Sequence, residues 1–371
     1  MPDELLNEVC VLVGTRPTLI KQASVIRELQ REGVPFFLIH TGQHYSYDLD
    51  QAFFVDLQIK NPELRLQGIS QCKLHGEQTA EILRQVEQIL LVRKPKILLV
   101  VGDTNSSLSG ALAARKLNLR LAHNESGLRS YKWEVPEEHN RVIIDHISDF
   151  LFAPSERAKK VLEEERIKGM VFVTGTTICD AVTENLEIAR QKSRILERLS
   201  LTSREYMVMT LHHEENVDYR NEICSIFDGI SMITEKIRAP IVFPVHPRTR
   251  FRLKHFGLEE TICKNTLVKL IEPLGYFDFL VLVANSMMVM TDSGGLIQEA
   301  AILRIPCLTL GCYTEWTETV EAGANSVSMN DPQLMLRYTE ALLKKDRTWR
   351  NPFGEPGASR RIVEILKQHL C

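Results

Sequence analysis

The sequence lacks both of the common phosphate-binding fingerprints. Neither G-x-G-x-x-G, which opens a dinucleotide-binding turn, nor G-x-x-x-x-G-K-[ST], which forms a P-loop, occurs among its 371 residues. The sequence therefore gives no support for a bound dinucleotide or a P-loop nucleotide, and we expect no cofactor.

Cysteine pairs, long apolar runs and a strong net charge are also missing. The eight cysteines include no C-x-x-C pair, which argues against a disulfide framework or a zinc site and for buried thiols in a reducing compartment. The longest mostly apolar run, residues 279–290, is too short to span a bilayer. A net charge of −3 provides no basic surface for nucleic acid or an anionic membrane. The acidic start, Met1-Pro2-Asp3-Glu4, shows no signal peptide, so we expect a cytoplasmic protein without nucleic-acid or membrane partners.

What the chain does contain is a regular alternation of short aliphatic runs and helical segments. The runs at residues 8–13, 35–39, 97–101 and 119–122 predict buried parallel strands. A second series covers residues 206–211, 240–244, 267–271, 287–290 and 306–310. This pattern predicts an α/β fold of two doubly wound domains that face each other across a cleft. We place the N-terminal domain at residues 1–185 and the C-terminal domain at 186–357, with a terminal helix at 358–371 packing back on the N-terminal domain.

Carboxylates follow the predicted strands of the first domain or open its predicted helices. Asp103 follows the strand at 97–101, Glu125 follows the next strand, and Glu137 and Glu138 begin a helix. Open α/β sheets bind their ligands at such strand ends. Each acid alone can be a helix cap or half of an ion pair. Several acids at one edge repel one another, however, and this repulsion must be offset. We therefore predict an active site at this edge of the sheet.

Two other polar stretches have more than one interpretation on the residues alone. The stretch Thr291-Asp292-Ser293-Gly294-Gly295 fits either a diphosphate site at a helix N-terminus or an ordinary N-cap turn. Arg16 and Lys21, at the start of the first helix, fit either an anion site or a solvated surface pair.

Histidines cluster after the first strand of the second domain. His212 and His213, followed by Glu214 and Glu215, suggest either a metal site or acid–base chemistry. Because adjacent residues on a strand point to opposite faces, we expect His212 and His213 not to share a metal. We expect His246 to be a structural histidine bonded to the backbone.

Taken in order along the chain, these motifs resemble those of the non-hydrolysing UDP-N-acetylglucosamine 2-epimerases. The matching stretches are Gly14-Thr15-Arg16-Pro17 with Lys21, Thr41-Gly42-Gln43-His44, Gly102-Asp103-Thr104, Glu125-Ser126-Gly127-Leu128-Arg129, Pro136-Glu137-Glu138 with Asn140-Arg141, Thr174-Gly175, His212 with Glu215-Asn216, Thr291-Asp292-Ser293-Gly294-Gly295 with Glu299, and Thr314-Glu315. The resemblance covers nearly the whole chain and implies two Rossmann-like domains of the GT-B type. It also implies reversible inversion at C2 of UDP-N-acetylglucosamine, giving UDP-N-acetylmannosamine by elimination of UDP to a 2-acetamidoglucal and its re-addition.

The resemblance assigns roles to residues position by position. It implies a catalytic group of Asp103, Glu125, Glu137 and His212. It implies substrate contacts at Arg16, Lys21, Arg141, Ser293, Gly294, Gly295 and Glu299, with Glu299 on the ribose. Gln43, Gln78 and His246 match positions that hold a second, activating UDP-sugar in bacterial members. The resemblance requires neither NAD nor a metal ion, and it implies a homodimer with a UDP-sugar as its substrate.

The second domain departs from the family pattern. His213 replaces an arginine, Ile297 and Gln298 replace Gln-Glu, and Gly311 and Trp316 stand where many bacterial members carry arginines. These departures bear on which sugar is accepted more than on the type of reaction. Two other activities stay open: a hydrolysing epimerase, which releases N-acetylmannosamine and UDP, and a GT-B glycosyltransferase. A nucleotide-sugar sensor without catalytic activity is the third alternative.

Overall fold

The aliphatic runs form two sheets of parallel strands in this computed structural model, which describes residues 7–43 and 54–370. The chain divides into two units: the first is Met1–Ala181 with Phe353–Cys371, and the second is Val182–Pro352. The acidic start at residues 1–4, His44 of the predicted motif and Cys371 lie outside the described residues.

The first unit is built on a seven-stranded sheet with the order β3-β2-β1-β4-β5-β6-β7. Its strands are β1 (Val9–Val13), β2 (Phe36–His40), β3 (Leu64–Arg65), β4 (Ile97–Val101), β5 (Arg120–Asn124), β6 (Phe150–Ala153) and β7 (Met170–Val173). The chain leaves β1 for β2 on one side and returns to β4 on the other side. This reversal creates the switch point at which open α/β sheets bind their ligands.

Helices connect these strands. They are α1 (Arg16–Arg31), α2 (His75–Arg93), α3 (Asn105–Lys116), α4 (Pro136–Ile147) and α5 (Glu156–Glu164), with a short 3-10 helix at Ile69–Gln71. After β7, α6 (Thr177–Lys192) begins in the first unit and continues into the second. Thr104 caps α3 by accepting a hydrogen bond from Ser107 N, as the polar break after β4 predicts. A Cβ added at Gly110 of α3 would lie 2.2 Å from Leu12 Cδ2, so glycine allows α3 to pack closely on β1. The core here is aliphatic and includes the fully buried Leu98 and Val100.

The second unit contains a six-stranded sheet with the order β10-β9-β8-β11-β12-β13. Its strands are β8 (Met207–Thr210), β9 (Ile241–Pro244), β10 (Val268–Ile271), β11 (Met288–Thr291), β12 (Cys307–Thr309) and β13 (Asn325–Val327). Its helices are α7 (Ile195–Leu199), α8 (Glu214–Val217), α9 (Arg220–Ile237), α10 (Pro247–His255), α11 (Glu259–Lys264), α12 (Tyr276–Ala284), α13 (Gly294–Ile302), α14 (Thr317–Glu321) and α15 (Pro332–Lys344). The strand order again reverses at the first strand of the unit, because β8 has β9 on one side and β11 on the other.

The C-terminal helix α16 (Ala358–Gln368) belongs to the first unit, where it packs on α1. Its buried face is formed by Ile362, Val363 and Leu366. Asp180 accepts hydrogen bonds from the backbone N–H groups of Gly357 and Ser359, so its carboxylate holds the start of the helix.

The cysteines correct one expectation. Cys10, Cys179 and Cys307 are buried, but Cys263 and Cys312 are exposed, so the prediction of buried thiols is wrong for those two. Across residues 7–43 and 54–370, none of the helices combines the length and the apolar character needed to cross a membrane.

Candidate functional site

Glu125 follows β5 directly and is paired with Lys21 of α1. Lys21 Nζ lies 2.5 Å from Glu125 Oε2, and the two side chains are 17% and 2% exposed. The Thr176 hydroxyl donates to the other carboxylate oxygen at 3.5 Å. Lys21 is thus engaged with a buried carboxylate, and the alternative that it belongs to a solvated surface pair is wrong. Glu125 has φ 68°, a left-handed conformation that costs free energy for a residue with a Cβ.

Arg16 opens α1 at the carboxyl end of β1. Thr15 and Thr18 form a capping box at this helix start, in which the side chain of each accepts from the backbone of the other. The capping box fixes the direction of the first turn and therefore the point from which the half-buried Arg16 side chain leaves the helix.

Arg141 of α4 joins two carboxylates. Its guanidinium nitrogens lie 2.6 Å from Asp103 Oδ2 and 2.6 Å from Glu138 Oε2. Asn140, its neighbour, donates to the backbone carbonyl oxygen of Asp103 at 2.8 Å. The mutual repulsion expected among these acids is therefore offset. Arg141 pairs with Asp103 and Glu138, and Lys21 pairs with Glu125.

Glu137 and Glu138 are neighbours in the first turn of α4, but their surroundings differ. Glu138 is 2% exposed and accepts hydrogen bonds from Ser130 N, Ser130 Oγ and Tyr131 N. Burial would raise the pKa of Glu138, but these donors and Arg141 outweigh it and hold the pKa below its usual range. Glu137 is half-buried and forms no hydrogen bond or ion pair with any of the residues that the structure describes. Glu138 thus holds the backbone before the helix, whereas Glu137 is not engaged by the residues that the structure describes.

A cavity of about 280 Å³ in the first unit is lined by both Asp103 and Glu137. Gln43 and Gln78, predicted for an activator site, line the same cavity. Gln43 Oε1 accepts from the Ser106 hydroxyl at 2.6 Å, and Gln78 Oε1 accepts from Asn105 Nδ2 at 2.8 Å. The two glutamines therefore lie beside the candidate carboxylates and not in a separate pocket.

In the second unit, Asp292 holds the turn that follows β8. Its Oδ2 accepts from the backbone N–H groups of His212 at 2.9 Å and His213 at 2.8 Å, and from Asn216 Nδ2 at 3.2 Å. Its Oδ1 lies 2.9 Å from His212 Nδ1. Burial would raise the pKa of Asp292, but the contacts with the two histidines outweigh it and lower the pKa to about 2. The ionised carboxylate orients the His212 ring. From the sequence alone, Asp292 is interpreted as a possible helix cap, so its contact with the His212 ring is not predicted.

His212 and His213 lie close together, which corrects the predicted geometry. Strand β8 ends at Thr210, so both histidines belong to a turn, and alternation along a strand does not apply to them. Their ring centroids are 4.7 Å apart in an edge-on arrangement. Ligand-type atoms of His212, His213 and Asp292 all lie within 4.8 Å of one another, so the geometric argument against a shared metal is wrong. The Oδ2 atom of Asp292 is already engaged by the backbone of the turn, whereas Oδ1 has only the close approach of His212 Nδ1 among the described residues.

His246 has the structural role that the sequence predicts. It caps α10, where its Nδ1 accepts from Arg248 N at 3.3 Å. Its ring lies 5.6 Å from the ring of His212. Burial and the neighbouring His212 lower the pKa of His246.

The N-terminus of α13 carries the predicted diphosphate residues. Ser293 occupies the N-cap position, but neither its side chain nor that of Asp292 caps the helix, so the simple capping interpretation is wrong. A Cβ at Gly294 would lie 2.0 Å from Glu315 Oε1, which explains the glycine. One turn further, Glu299 is 7% exposed and accepts from the Tyr276 hydroxyl at 3.3 Å.

Comparison with known proteins identifies the class. A sequence profile described as UDP-N-acetylglucosamine 2-epimerase matches residues 27–367. The UDP-N-acetylglucosamine 2-epimerase of Methanocaldococcus jannaschii is 43% identical over 362 residues, which cover 97% of this chain and 98% of that protein. The crystal structure of the Methanocaldococcus jannaschii UDP-GlcNAc 2-epimerase in complex with UDP-GlcNAc and UDP matches with a TM-score of 0.90, covering 97% of this chain and 99% of that one at 43% identity. The UDP-2,3-diacetamido-2,3-dideoxy-D-glucuronate 2-epimerase of Pseudomonas aeruginosa is 36% identical over 363 residues, or 97% of this chain and 99% of that protein.

The fold is thus the two-domain α/β fold of the GT-B type, and the predicted fold class is confirmed. The chain belongs to the UDP-N-acetylglucosamine 2-epimerase family, as its motifs indicate.

The lowered pKa of Asp292 predicts how the stability of the fold changes as the pH falls. A carboxylate whose folded pKa lies below its ordinary value stabilises the fold above that value and loses the contribution as the pH falls through the folded pKa. The pKa of Asp292 falls from an ordinary 3.8 to about 2. We expect Asp292→Asn to lower the free energy of unfolding by about 2 kcal/mol at neutral pH, with the gap closing between about pH 4 and pH 2.

Urea unfolding curves recorded across this pH range measure the gap. Asp346→Asn, at an exposed position of the same unit, serves as the control and should match the wild type throughout. A gap for Asp292→Asn that stays constant down to the lowest pH would contradict the ion-pair account.

Proposed function

We propose that this protein catalyses the reversible epimerisation of UDP-N-acetylglucosamine at C2, giving UDP-N-acetylmannosamine. The observation that carries the proposal is the group of carboxylates at the switch-point edge of the first sheet, two of them paired with cations and one unpaired among the described residues. Family membership supports it, since the Methanocaldococcus jannaschii relative bears the name of this activity.

The chemistry explains why such a group is needed. No carbonyl group is adjacent to C2, so its proton is not acidic enough for direct removal and return. Elimination avoids this difficulty: a base takes the C2 proton, the C1–O bond to UDP breaks, and a 2-acetamidoglucal forms. A proton then adds to the opposite face of C2 while UDP re-adds at C1. The reaction therefore needs proton-transfer groups for both faces of the sugar and a stabilised diphosphate.

We assign the two proton transfers at C2 to Asp103 and Glu137, because both line one cavity. Arg141 holds the Asp103 carboxylate at 2.6 Å, and we assign the removal of the C2 proton to Asp103. Glu137 has no cationic partner among the described residues, and we assign to it the return of the proton on the opposite face. We assign Glu125 to the anomeric centre, where its negative charge opposes the positive charge that develops as the C1–O bond breaks.

We assign the leaving group to the second unit. The N-terminus of α13, at Ser293–Gly295, presents backbone N–H groups and the positive end of the helix dipole to the diphosphate. His212, held by Asp292, supplies a further donor. Glu299 is assigned to the ribose, with Tyr276 fixing its carboxylate. We also propose that Arg16, Lys21 and Arg141 contact the substrate.

The identity of the sugar is a separate assignment from the type of reaction. The Pseudomonas aeruginosa relative is named for a diacetamido-glucuronate sugar, and it too is a 2-epimerase. Trp316, which stands where many bacterial members carry an arginine, is 3% exposed beside Gly294. We infer that this wall of the sugar site accepts an uncharged C6 group, because a buried indole offers no cation to a carboxylate.

The first test is incubation with UDP-N-acetylglucosamine in D2O, followed by NMR. Because the C2 proton is exchanged during elimination, we expect UDP-N-acetylmannosamine and returned substrate that both carry deuterium at C2. Release of N-acetylmannosamine and UDP would favour the hydrolysing alternative. A substrate that stays fully protonated would contradict epimerisation by elimination. Turnover only of UDP-2,3-diacetamido-2,3-dideoxy-D-glucuronate would correct the assigned sugar.

The second test separates Glu137 from its neighbour. We expect Glu137→Gln to lower kcat by about two orders of magnitude with the fold retained, because a proton-transfer group is lost. Asp103→Asn, Glu125→Gln and His212→Asn should have effects of similar size. Glu138→Gln should mainly lower the melting temperature, since its bonds hold residues 130 and 131. Glu134→Gln, an exposed change beside the same helix, is the control. Near-normal turnover in Glu137→Gln would remove Glu137 from the catalytic group.

We also infer activation by a second UDP-sugar, with Gln43, Gln78 and His246 as its candidate contacts. Since the two glutamines line the cavity of Asp103 and Glu137, we infer that this sugar binds next to the substrate. We expect a sigmoidal dependence of the rate on UDP-N-acetylglucosamine, which Gln78→Ala should make hyperbolic. Gln88→Ala changes an exposed glutamine of the same helix and should leave the curve sigmoidal. A hyperbolic curve for the wild-type enzyme would contradict the inference.

A further inference from the structure

His123, the fourth residue of β5, has an acceptor at each of its ring nitrogens. The residue is fully buried. Its Nδ1 lies 2.7 Å from Asp145 Oδ1, and its Nε2 lies 2.9 Å from the backbone carbonyl oxygen of Gly102. The carbonyl oxygen can only accept a hydrogen bond. The same holds for the carboxylate of Asp145, which its partners keep ionised.

Neither neutral form of the ring satisfies both contacts. With one proton, the imidazole donates at one nitrogen and presents a lone pair at the other. That lone pair would face either the carboxylate of Asp145 or the carbonyl oxygen of Gly102 at hydrogen-bond distance. The doubly protonated ring donates at both nitrogens, so the geometry indicates an imidazolium ion.

The charge of this ion is balanced within the unit. Burial would raise the pKa of Asp145, but His123 and Arg129 outweigh it and lower the pKa. The second oxygen of Asp145 accepts from Gly127 N at 3.0 Å and from Arg129 Nη1 at 2.7 Å. Arg129 continues to Glu165 through two bonds of 2.8 and 2.6 Å. Two cations thus meet two anions, and each of these hydrogen bonds pairs a donor with an acceptor, as a buried charged network requires.

This network binds the backbone near two of the candidate carboxylates and shares a helix with the third. Gly102 directly precedes Asp103, and Gly127 comes two residues after Glu125, whose left-handed conformation must be held by its surroundings. Asp145 itself lies on α4, the helix that carries Glu137. Three separate segments of the chain therefore converge on one buried ion pair.

We propose that His123, as a buried imidazolium paired with Asp145, is a positioning residue that sets the relative placement of the three carboxylates. The positioning role rests on the proposed epimerase activity, whereas the protonation state does not. His123 acts through the turns that it holds and not by contact with the substrate.

The protonation state is tested by NMR of protein labelled with 15N in its histidine rings. An exposed histidine is mostly neutral at pH 7.5, since its ordinary pKa is about 6.5. We expect His123, assigned by its loss in His123→Asn, to show both ring nitrogens protonated with slowly exchanging protons at that pH. A neutral-tautomer pattern would overturn the proposal. This measurement needs neither substrate nor activity.

The positioning role is tested with a graded set of variants. Asparagine places an amide near the Nδ1 position and glutamine near the Nε2 position, so His123→Asn keeps a donor towards Asp145 and His123→Gln keeps one towards Gly102. Asp145→Asn removes the counter-charge. We expect kcat to fall by about 100-fold in Asp145→Asn and by less in at least one His123 amide variant, because small misplacements of reacting groups have effects of this size. KM should change much less, since the groups assigned to the nucleotide are elsewhere.

Assays run well below the melting temperature of each variant separate positioning from stability. His146→Asn, at an exposed site on the same helix, is the control and should leave kcat unchanged. Variants that melt earlier but turn over at the wild-type kcat would show a purely structural role and overturn the proposal. If the wild-type protein shows no epimerase activity, the proposed function and the positioning role both fail, and the NMR result still decides the imidazolium.

Discussion

A buried carboxylate needs hydrogen-bond donors, and this requirement organises the candidate residues within each unit. Asp145 of the first unit binds a histidine, an arginine and a backbone N–H group. In the second unit, one oxygen of Asp292 accepts from the backbone N–H groups of His212 and His213 and from the side chain of Asn216. Since leaving such a charge unpaired is costly, each aspartate holds the turns that it binds in place.

Short-range features of the fold and site were predictable from the sequence. The run at 97–101 coincides with the observed β4, because a buried parallel strand must be aliphatic along its whole length. Asp103 was placed correctly at a strand end for the same reason, since the polar break marks where the sheet stops. The ordered motifs identified the family, although no single one of them is specific. These features depend on residues that are neighbours in the chain.

Partners that come together only by folding were not predictable. Lys21 and Glu125 are 104 positions apart, and nothing in either local sequence marks them as a pair. Asp145 lies inside an amphipathic helix, where its sequence position does not distinguish it from the exposed polar residues of that helix. The error at His212 and His213 has a different cause. The predicted strand ran to Leu211, but β8 ends at Thr210, and beyond a strand its alternation of side chains no longer holds.

The two glutamates that begin α4 constrain the segment before them. Glu138 binds the backbone at residues 130 and 131, and Asp145 of the same helix binds Arg129, so residues 129–136 form a loop closed on its own helix. The helix start that carries Glu137 is thereby anchored at both ends of the loop. The exposed side chain of Glu134, between these anchors, is therefore open to change in evolution without moving Glu137.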